Sequence, residues 1–346
     1  MRRFVEIDIA RGLTIFLVVA GHTTVPEWLN NILRDFRMPL FFLVSGYLFS
    51  SQKYLNNTRM LWTNKFYTLL VPYFTAGILS YFYWIIIKVA DPSNGEYIWY
   101  KPLVGVFYGN GVDGWLGLNE PIWFLVCLFC AQILYCYTQK IIGGLGFYTQ
   151  AGIYMLIGFA GYAVSRVIFL PWGLDIALVA LLFMYLGNKF KYYQFIEKLK
   201  PVGFVSVLSL IVFGATTYFN NADMNNRIYG NLFTFYIAGI SGSILALSFT
   251  KVLLRNNATV KFFTLLGRES LLILIFHAGL AITTLSYVDI LFVNGTVHWS
   301  VYLTIGLTLP LVLSIFIKKI PILNVLLNGK GGPSKSQKLV RGSKIS

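Results

Sequence analysis

Long apolar runs constrain the fold of this chain more than any other feature. A helix needs about 20 largely apolar residues to cross a bilayer. Of the 346 residues, 57% are hydrophobic and only 12% are charged, a composition typical of an integral membrane protein. We therefore predict an all-α, polytopic bundle of about ten transmembrane helices. The ten runs cover approximately residues 7–25, 38–52, 66–88, 121–138, 148–165, 172–188, 202–219, 229–250, 265–286 and 299–317.

The second run, MPLFFLVSGYLFS, is short for a transmembrane helix. It predicts either a tilted crossing or a re-entrant helix, and a re-entrant helix is stable only where protein covers its backbone ends. If this run does not cross, the topology of every later run is inverted.

The distribution of Lys and Arg tests the topology, because cytoplasmic loops carry an excess of these residues. With the N-terminus inside, most of the 28 Lys and Arg residues fall in inner segments. This asymmetry predicts ten crossings with both termini in the cytoplasm. The outer segments hold Arg34, Arg37, Lys88, Lys101, Arg166 and Arg227.

The net charge of +15 does not indicate nucleic-acid binding, because the basic residues lie in short loops beside apolar runs. From Asn328 the chain is polar, basic and rich in Gly and Ser. We predict a transmembrane domain over residues 1–327 and a disordered, basic cytoplasmic tail over residues 328–346 that touches anionic lipid.

The three cysteines, Cys127, Cys130 and Cys136, all lie in the fourth run. A disulfide there would lack redox access, and no second Cys/His pair follows at the spacing of a zinc site. We expect these cysteines to pack in the protein or against lipid, and we expect no metal.

The first run, DIARGLTIFLVVAGH, places three ionisable residues around an apolar stretch. On a helix with about 100° and 1.5 Å per residue, Arg11 and His22 lie about 20° apart around the axis and about 16 Å apart along it. Asp8 lies about 40° from His22 by the same geometry. Ionisable side chains in a span are costly unless they face protein or water, so a shared face predicts a polar cavity inside the bundle.

Simpler interpretations exist for each of these residues. Asp8 and Arg11 form an i, i+3 pair that could extend to the membrane surface, and His22 could be an interfacial histidine. However, a neutral imidazole is the side chain best suited to take a proton from a hydroxyl near pH 7.

This pattern resembles the acyltransferase 3 family of membrane sugar O-acetyltransferases, in which an Arg and a His on the first span are separated by ten residues. Here the motif is R-GLTIFLVVAG-H. The resemblance continues in the family's order through RMPLFFLVSGYLF at 37–49, KFYTLLVPYF at 65–74, PIWFLVCLF at 121–129, GLDIALVALLFMYLG at 173–187 and LLGRESLLILIFH at 265–277.

The resemblance implies that an acyl group, usually acetyl from acetyl-CoA, is transferred to a sugar hydroxyl of a cell-envelope polysaccharide or its lipid-linked precursor. It implies His22 as the general base and Arg11 as the residue that binds the donor. Asp8, which the helix geometry places near the same face, is a third catalytic candidate. It also implies a multi-pass protein of the bacterial plasma membrane, in contact with lipid. Whether the chain forms a homo-oligomer stays open.

Further candidates for substrate binding lie in the same landmarks. Many members have a His before MPLFF, but this chain has Arg37, which can bind an anion or a carbonyl. Ser270 and His277 lie about 20° apart on the ninth run, although a packing Ser and a capped His are equally compatible with that spacing. Ser45 is either a cavity residue or a small residue for helix packing. The set of substrate-binding candidates is Arg37, Ser45, Trp123, Glu269, Ser270 and His277.

A transporter or flippase for an amphipathic or glycan-linked substrate is the alternative function, because such proteins also hold charged residues inside a bundle. Transporters often consist of two similar halves, and this sequence shows no internal repeat. The long segment 91–120 is rich in Gly and aromatic residues, which suits either sugar binding or the membrane interface.

Overall fold

The computed structural model describes residues 5–90, 98–293 and 295–330, and in this part of the chain all regular secondary structure is helical. Asp223 and Ile228 form an isolated β-bridge. The all-α prediction is therefore confirmed. The α-helices are α1 (Val5–Ala20), α2 (Glu27–Leu48), α3 (Ser51–Asn56), α4 (Thr58–Lys65), α5 (Val71–Ala90), α6 (Lys101–Tyr108), α7 (Trp123–Ile142), α8 (Phe147–Ser165), α9 (Leu174–Tyr192), α10 (Phe195–Lys198), α11 (Phe204–Phe219), α12 (Leu232–Leu253), α13 (Asn257–Phe276), α14 (Thr283–Val288), α15 (Trp299–Lys319) and α16 (Pro321–Asn328).

Each of the ten predicted runs coincides with a helix. Within the described ranges, six helical stretches are long and apolar enough to cross a membrane. Helix α11 is also apolar but has only 16 residues. Such a set of helices is typical of a multi-pass membrane protein. The six stretches are Thr58–Val89, Glu120–Ile142, Pro171–Tyr192, Leu232–Leu253, Asn257–Val288 and Trp299–Lys319.

The second run is longer than the sequence indicated. Helix α2 has 22 residues and begins at Glu27, so the prediction of a helix that begins near Met38 was wrong. Two of its charged residues, Asp35 and Arg37, are buried by the surrounding protein. Asp35 is completely buried and accepts hydrogen bonds from the Asn220 side chain and the Ala222 backbone, each 3.2 Å long.

The first run ends earlier than predicted. Helix α1 stops at Ala20, and His22 lies in the turn that follows. Gly21 allows this turn to lie directly against the Arg37 guanidinium, where a side chain at position 21 would collide. His22 is therefore held by a turn and not by a continuous helix.

The core joins α1, α2, α7, α9, α12 and α13, and glycines bring two pairs of these helices into close contact. Gly12 of α1 lies against the backbone of Phe263 in α13, and Gly267 of α13 lies against the carbonyl of Asp8. Gly46 of α2 and Gly187 of α9 make the same reciprocal contact. Small residues permit such close approach between helices in a membrane.

A buried ion pair lies at the end of the bundle that is predicted to face outward. Asp175, at the start of α9, is completely buried and accepts a hydrogen bond of 2.8 Å from Arg227 Nε. The Arg227 guanidinium also lies 4.4 Å from the centroid of the Phe169 ring. Asp175 is therefore a structural residue and not an exposed charge at the membrane interface.

Two predicted segments extend beyond the described residues. The structure describes Asn328–Lys330 of the predicted tail, and Asn328 and Gly329 are buried there. Residues 331–346 lie outside the described ranges, and so do residues 91–97 of the Gly- and aromatic-rich segment. The disordered tail remains a prediction.

The close contact of α1 with α13 predicts that Gly12→Ala destabilises the protein. The added methyl group would meet the Phe263 backbone, which cannot move aside as a side chain can. Overpacking costs about 1–3 kcal/mol. The measurement is thermal unfolding in detergent with a thiol-reactive dye, which reports exposure of the buried free cysteines.

Gly152→Ala is the matched control, because no atom lies within 4 Å of a side chain added there. It should unfold at or slightly above the wild-type temperature, since Ala favours helix. Equal melting temperatures for Gly12→Ala and wild type would contradict the close contact.

Candidate active site

The first feature of the site is a pair of histidine rings. The ring centroids of His22 and His277 lie 5.1 Å apart, and the rings are tilted by 63° in an edge-to-face arrangement. His277 is completely buried, whereas His22 is exposed. His22 therefore contacts the buried interior of the bundle and still presents surface to solvent.

The tautomer of His277 follows from its hydrogen bonds. Its Nδ1 lies 2.9 Å from the Ile273 carbonyl oxygen and 3.0 Å from that of Leu274. Carbonyl oxygens only accept hydrogen bonds, so Nδ1 carries the hydrogen and Nε2 carries the lone pair. This Nε2 is buried and has no hydrogen-bond partner among the described residues.

Arg37 lies next to His22, although the sequence placed it in an outer loop. It is buried in α2, and its Nη1 donates a hydrogen bond of 3.0 Å to Asn30 Oδ1. Asn30 in turn donates one of 3.3 Å to the Gly21 carbonyl. These contacts tie α2 to the turn that carries His22 and bring a positive charge close to it.

The second feature is a cavity of about 500 Å³ at the end of the bundle predicted to be cytoplasmic. Arg11, Asp8, Ser45 and Ser270 line it. Arg11 Nη2 donates a hydrogen bond of 2.9 Å to Ser270 Oγ. This hydrogen bond joins the helix of the first run to the helix of the ninth run. Ser45 faces the cavity, while its neighbour Gly46 makes the helix contact.

The cavity has a charged mouth and a mostly apolar interior. Lys65, Arg268 and Lys330 join Arg11 in its lining, so four cations surround one space with the carboxylate of Asp8. Partial burial lowers the pKa of Lys330, with Lys318 and Arg11 lowering it further and Glu269 opposing them. The arrangement favours an anionic ligand. The rest of the wall includes Phe41, Val44, Phe124, Leu125, Leu128, Leu271 and Leu274.

Two predicted residues, Glu269 and Trp123, belong neither to the cavity lining nor to the group of His22, His277 and Arg37. Glu269 faces α15, where its carboxylate forms an ion pair with Lys318. Trp123 is buried, and its indole packs against Gly111. The structure thus gives both of these residues packing or charge-pairing contacts.

Among the lining residues that sequence reasoning missed are three cations, Lys65, Arg268 and Lys330, and the amide of Gln132. Lys65 and Arg268 lie in quoted landmarks but counted only as inner positive charges, and Lys330 counted only as part of the tail. Gln132 of α7 is buried, lines the cavity, and its Oε1 has no partner among the described residues. A polar residue within the very apolar fourth run was the available signal for Gln132.

Comparison with known proteins identifies the family of this chain. The family pattern for an acyltransferase domain, that of the acyltransferase 3 family, matches residues 4–318. No curated protein and no solved structure matches the chain. Since the family match covers nearly the whole chain, from α1 to the last turn of α15, this chain belongs to the acyltransferase 3 family.

Proposed function

We propose that this protein transfers an acetyl or similar acyl group from acyl-CoA to a sugar hydroxyl of a cell-envelope polysaccharide or its lipid-linked precursor. One observation carries the proposal. The cavity lined by cations, which include Arg11, lies at one end of the contact between α1 and α13. The exposed His22 lies at the other end of the same contact.

The cavity suits a CoA thioester. CoA carries phosphate groups at one end and a long, weakly polar arm that ends in the thioester. Phosphates pair well with Arg and Lys side chains. The cavity lining supplies four such cations: Arg11, Lys65, Arg268 and Lys330. The arm fits the mostly apolar interior, within the range of volumes typical of ligand sites.

His22 is the proposed general base. It takes the proton of the acceptor hydroxyl as the oxygen attacks the thioester carbonyl carbon, and a C–O bond forms. The C–S bond then breaks, and the leaving CoA thiolate receives that proton from the imidazolium of His22. The products are the O-acyl sugar and CoA with a free thiol, and His22 returns to its neutral form.

The two ends of the site suggest an arrangement across the membrane. The positive-inside pattern supports ten crossings with both termini in the cytoplasm, in a bacterial plasma membrane. The donor then enters from the cytoplasm, while the acceptor reaches the exposed His22 from the opposite side. A transporter remains the weaker alternative, because the family is one of acyltransferases.

Loss of the base predicts that His22→Ala and His22→Gln lose acyl transfer by about 10²- to 10⁴-fold while the protein still folds. Trimming an exposed imidazole removes little packing. Acetyl transfer to native envelope glycan is measured together with thermal melting. His298→Gln is the control, because His298 is an exposed N-cap residue of α15 and pairs locally with Ser300. Turnover above about a tenth of wild type in either His22 variant would rule out the base.

The donor assignment predicts that Arg11→Ala and Arg268→Ala each weaken acetyl-CoA binding. A hydrogen bond from a charged group is worth about 10- to 100-fold in affinity. Acetylpantetheine lacks the nucleotide phosphates, so Arg268→Ala should leave its binding unchanged. Radiolabelled donor binding to purified protein provides the measurement.

Arg166→Ala serves as the control for these variants, because Arg166 is an exposed residue at the C-terminal end of α8. If acetyl-CoA binds Arg11→Ala and wild type with equal affinity, Arg11 does not bind the donor. Equal losses for acetyl-CoA and acetylpantetheine in Arg268→Ala would show that Arg268 does not bind the phosphates.

The contacts of Arg37 predict that Arg37→His folds but loses turnover by about tenfold or more, since about 1.4 kcal/mol of lost stabilisation has that effect. Histidine cannot both hold Asn30 and keep a permanent positive charge beside His22. Arg34→Gln, one turn earlier on α2, is the control. If Arg37→His keeps wild-type turnover, Arg37 has only a structural role.

A further inference from the structure

We propose that His277 is a positioning residue for the reaction. Its Nε2 accepts a hydrogen bond from one ring N–H of His22, directly or through one water molecule. The other ring nitrogen of His22 is thereby left free to take the proton of the acceptor hydroxyl. The inference deepens the proposed function and rests on His22 being the base.

The backbone at His277 fixes the direction of its ring. His277 begins a π-helical segment, His277–Ile282, that continues α13. Its Nδ1–H is shared between the Ile273 and Leu274 carbonyls of the preceding turn. Since Nδ1 faces its own helix, Nε2 faces away from that helix, on the side where the neighbouring helices pack.

The other polar groups near His277 leave Nε2 without a donor. Gly279 packs against Asn119, which is therefore close to His277. However, both hydrogens of the Asn119 amide are used, because Nδ2 donates to Ser80 Oγ at 2.8 Å and to the Ile275 carbonyl at 2.9 Å. Its Oδ1 is an acceptor and cannot pair with another acceptor.

Among the described residues, His22 and Arg37 are two donors that lie close to His277. The His22 ring is already 5.1 Å from the His277 ring, measured between centroids. It is exposed, so it can turn to bring a ring N–H toward Nε2. Arg37 donates through Nη1 to Asn30 and is the competing candidate. A buried nitrogen normally has a hydrogen-bond partner, so one of these two donors should fill this role.

Pairing with His22 has a chemical consequence. When His22 takes the acceptor proton it becomes an imidazolium, and hydrogen bonds donated by a cation are about twice as strong as neutral ones. His277 thus stabilises the charge as it forms. One N–H of the imidazolium stays on the His277 side, and the other delivers its proton to the leaving thiolate. His277 itself keeps its Nδ1 hydrogen and gains or loses no proton.

The kinetic test compares His277→Phe with His277→Gln. Phe keeps the ring but has no acceptor, so turnover should fall by about 10- to 100-fold, the effect of one charge-assisted hydrogen bond. The Michaelis constant for acetyl-CoA should stay unchanged, because His277 does not line the donor cavity. Gln carries both an N–H and a carbonyl oxygen and should recover much of the lost turnover.

Thr283→Val is the matched control. Thr283 follows the same π-helical segment and donates a hydrogen bond of 2.9 Å to the Ala278 carbonyl, so its loss perturbs the local helix without touching His22. It should keep wild-type turnover. If Thr283→Val loses as much as His277→Phe, or if His277→Phe is fully active, the proposal is wrong.

A spectroscopic test separates this proposal from the assignment of the base. The chain has three histidines, and His298→Gln leaves only the proposed pair. Nitrogen NMR of ¹⁵N-histidine-labelled protein should show His277 as the Nδ1–H tautomer, with His22 signals that shift in His277→Phe and not in Thr283→Val.

An Nε2–H tautomer, or His277 signals that respond to Arg37→Gln but not to His22→Ala, would overturn the pairing. Conversely, if the pairing is observed and His22→Ala keeps its activity, the pairing stands and the assignment of the base fails. The two results are therefore distinguishable.

Discussion

The direct contact of α1 with α13 is the constraint on which the site depends. Gly12 and Gly267 remove the side chains that would keep these helices apart. Asp8, Arg11 and His22 then lie beside Gly267, Ser270 and His277 in that order, so the two helices run in the same direction. A larger separation would break the Arg11–Ser270 hydrogen bond and the histidine pair together.

The charged residues of the bundle divide into two groups according to their partners. Arg227 and Asp175 bind each other in a fully buried ion pair, and Glu269 pairs with Lys318. The attraction within each pair offsets the free-energy cost of burying the charges, and the pair fixes the relative position of the helices that carry it. Arg11 donates its hydrogen bond to a neutral serine, lies near the carboxylate of Asp8 and faces an open cavity. A cation that is solvated by a cavity is available to bind a ligand.

The sequence predicts the helices well, because an apolar run has few alternatives in a membrane. It also predicts that Arg11 and His22 share a face, although α1 ends before His22 and a turn carries it. The start of α2 was missed because three charged residues so close together, Arg34, Asp35 and Arg37, are typical of a loop. The sequence alone does not reveal the buried partners of Asp35. Those partners, such as Asn220 and Ala222, lie almost 200 positions away in the sequence.

The cavity could not be predicted residue by residue. Lys65, Arg268 and Lys330 come from three separate segments, and each one alone resembles an ordinary inner-loop charge. Only the packing of α13 against α1, and of α16 against α5 and α13, brings them to one cavity. Similarly, the free lone pair of His277 follows from the carbonyls of its own helix, and no spacing of residue types encodes it.

Mass spectrometry of envelope glycans from cells with and without the gene tests the central claim most directly, because it identifies reaction and acceptor together. We expect glycan from cells without the gene to lack an ester-linked acyl group on one sugar, and restoring the gene to restore this group. Identical glycans from the two cells, under conditions where the protein is present in the membrane, would contradict the assignment of a glycan O-acyltransferase.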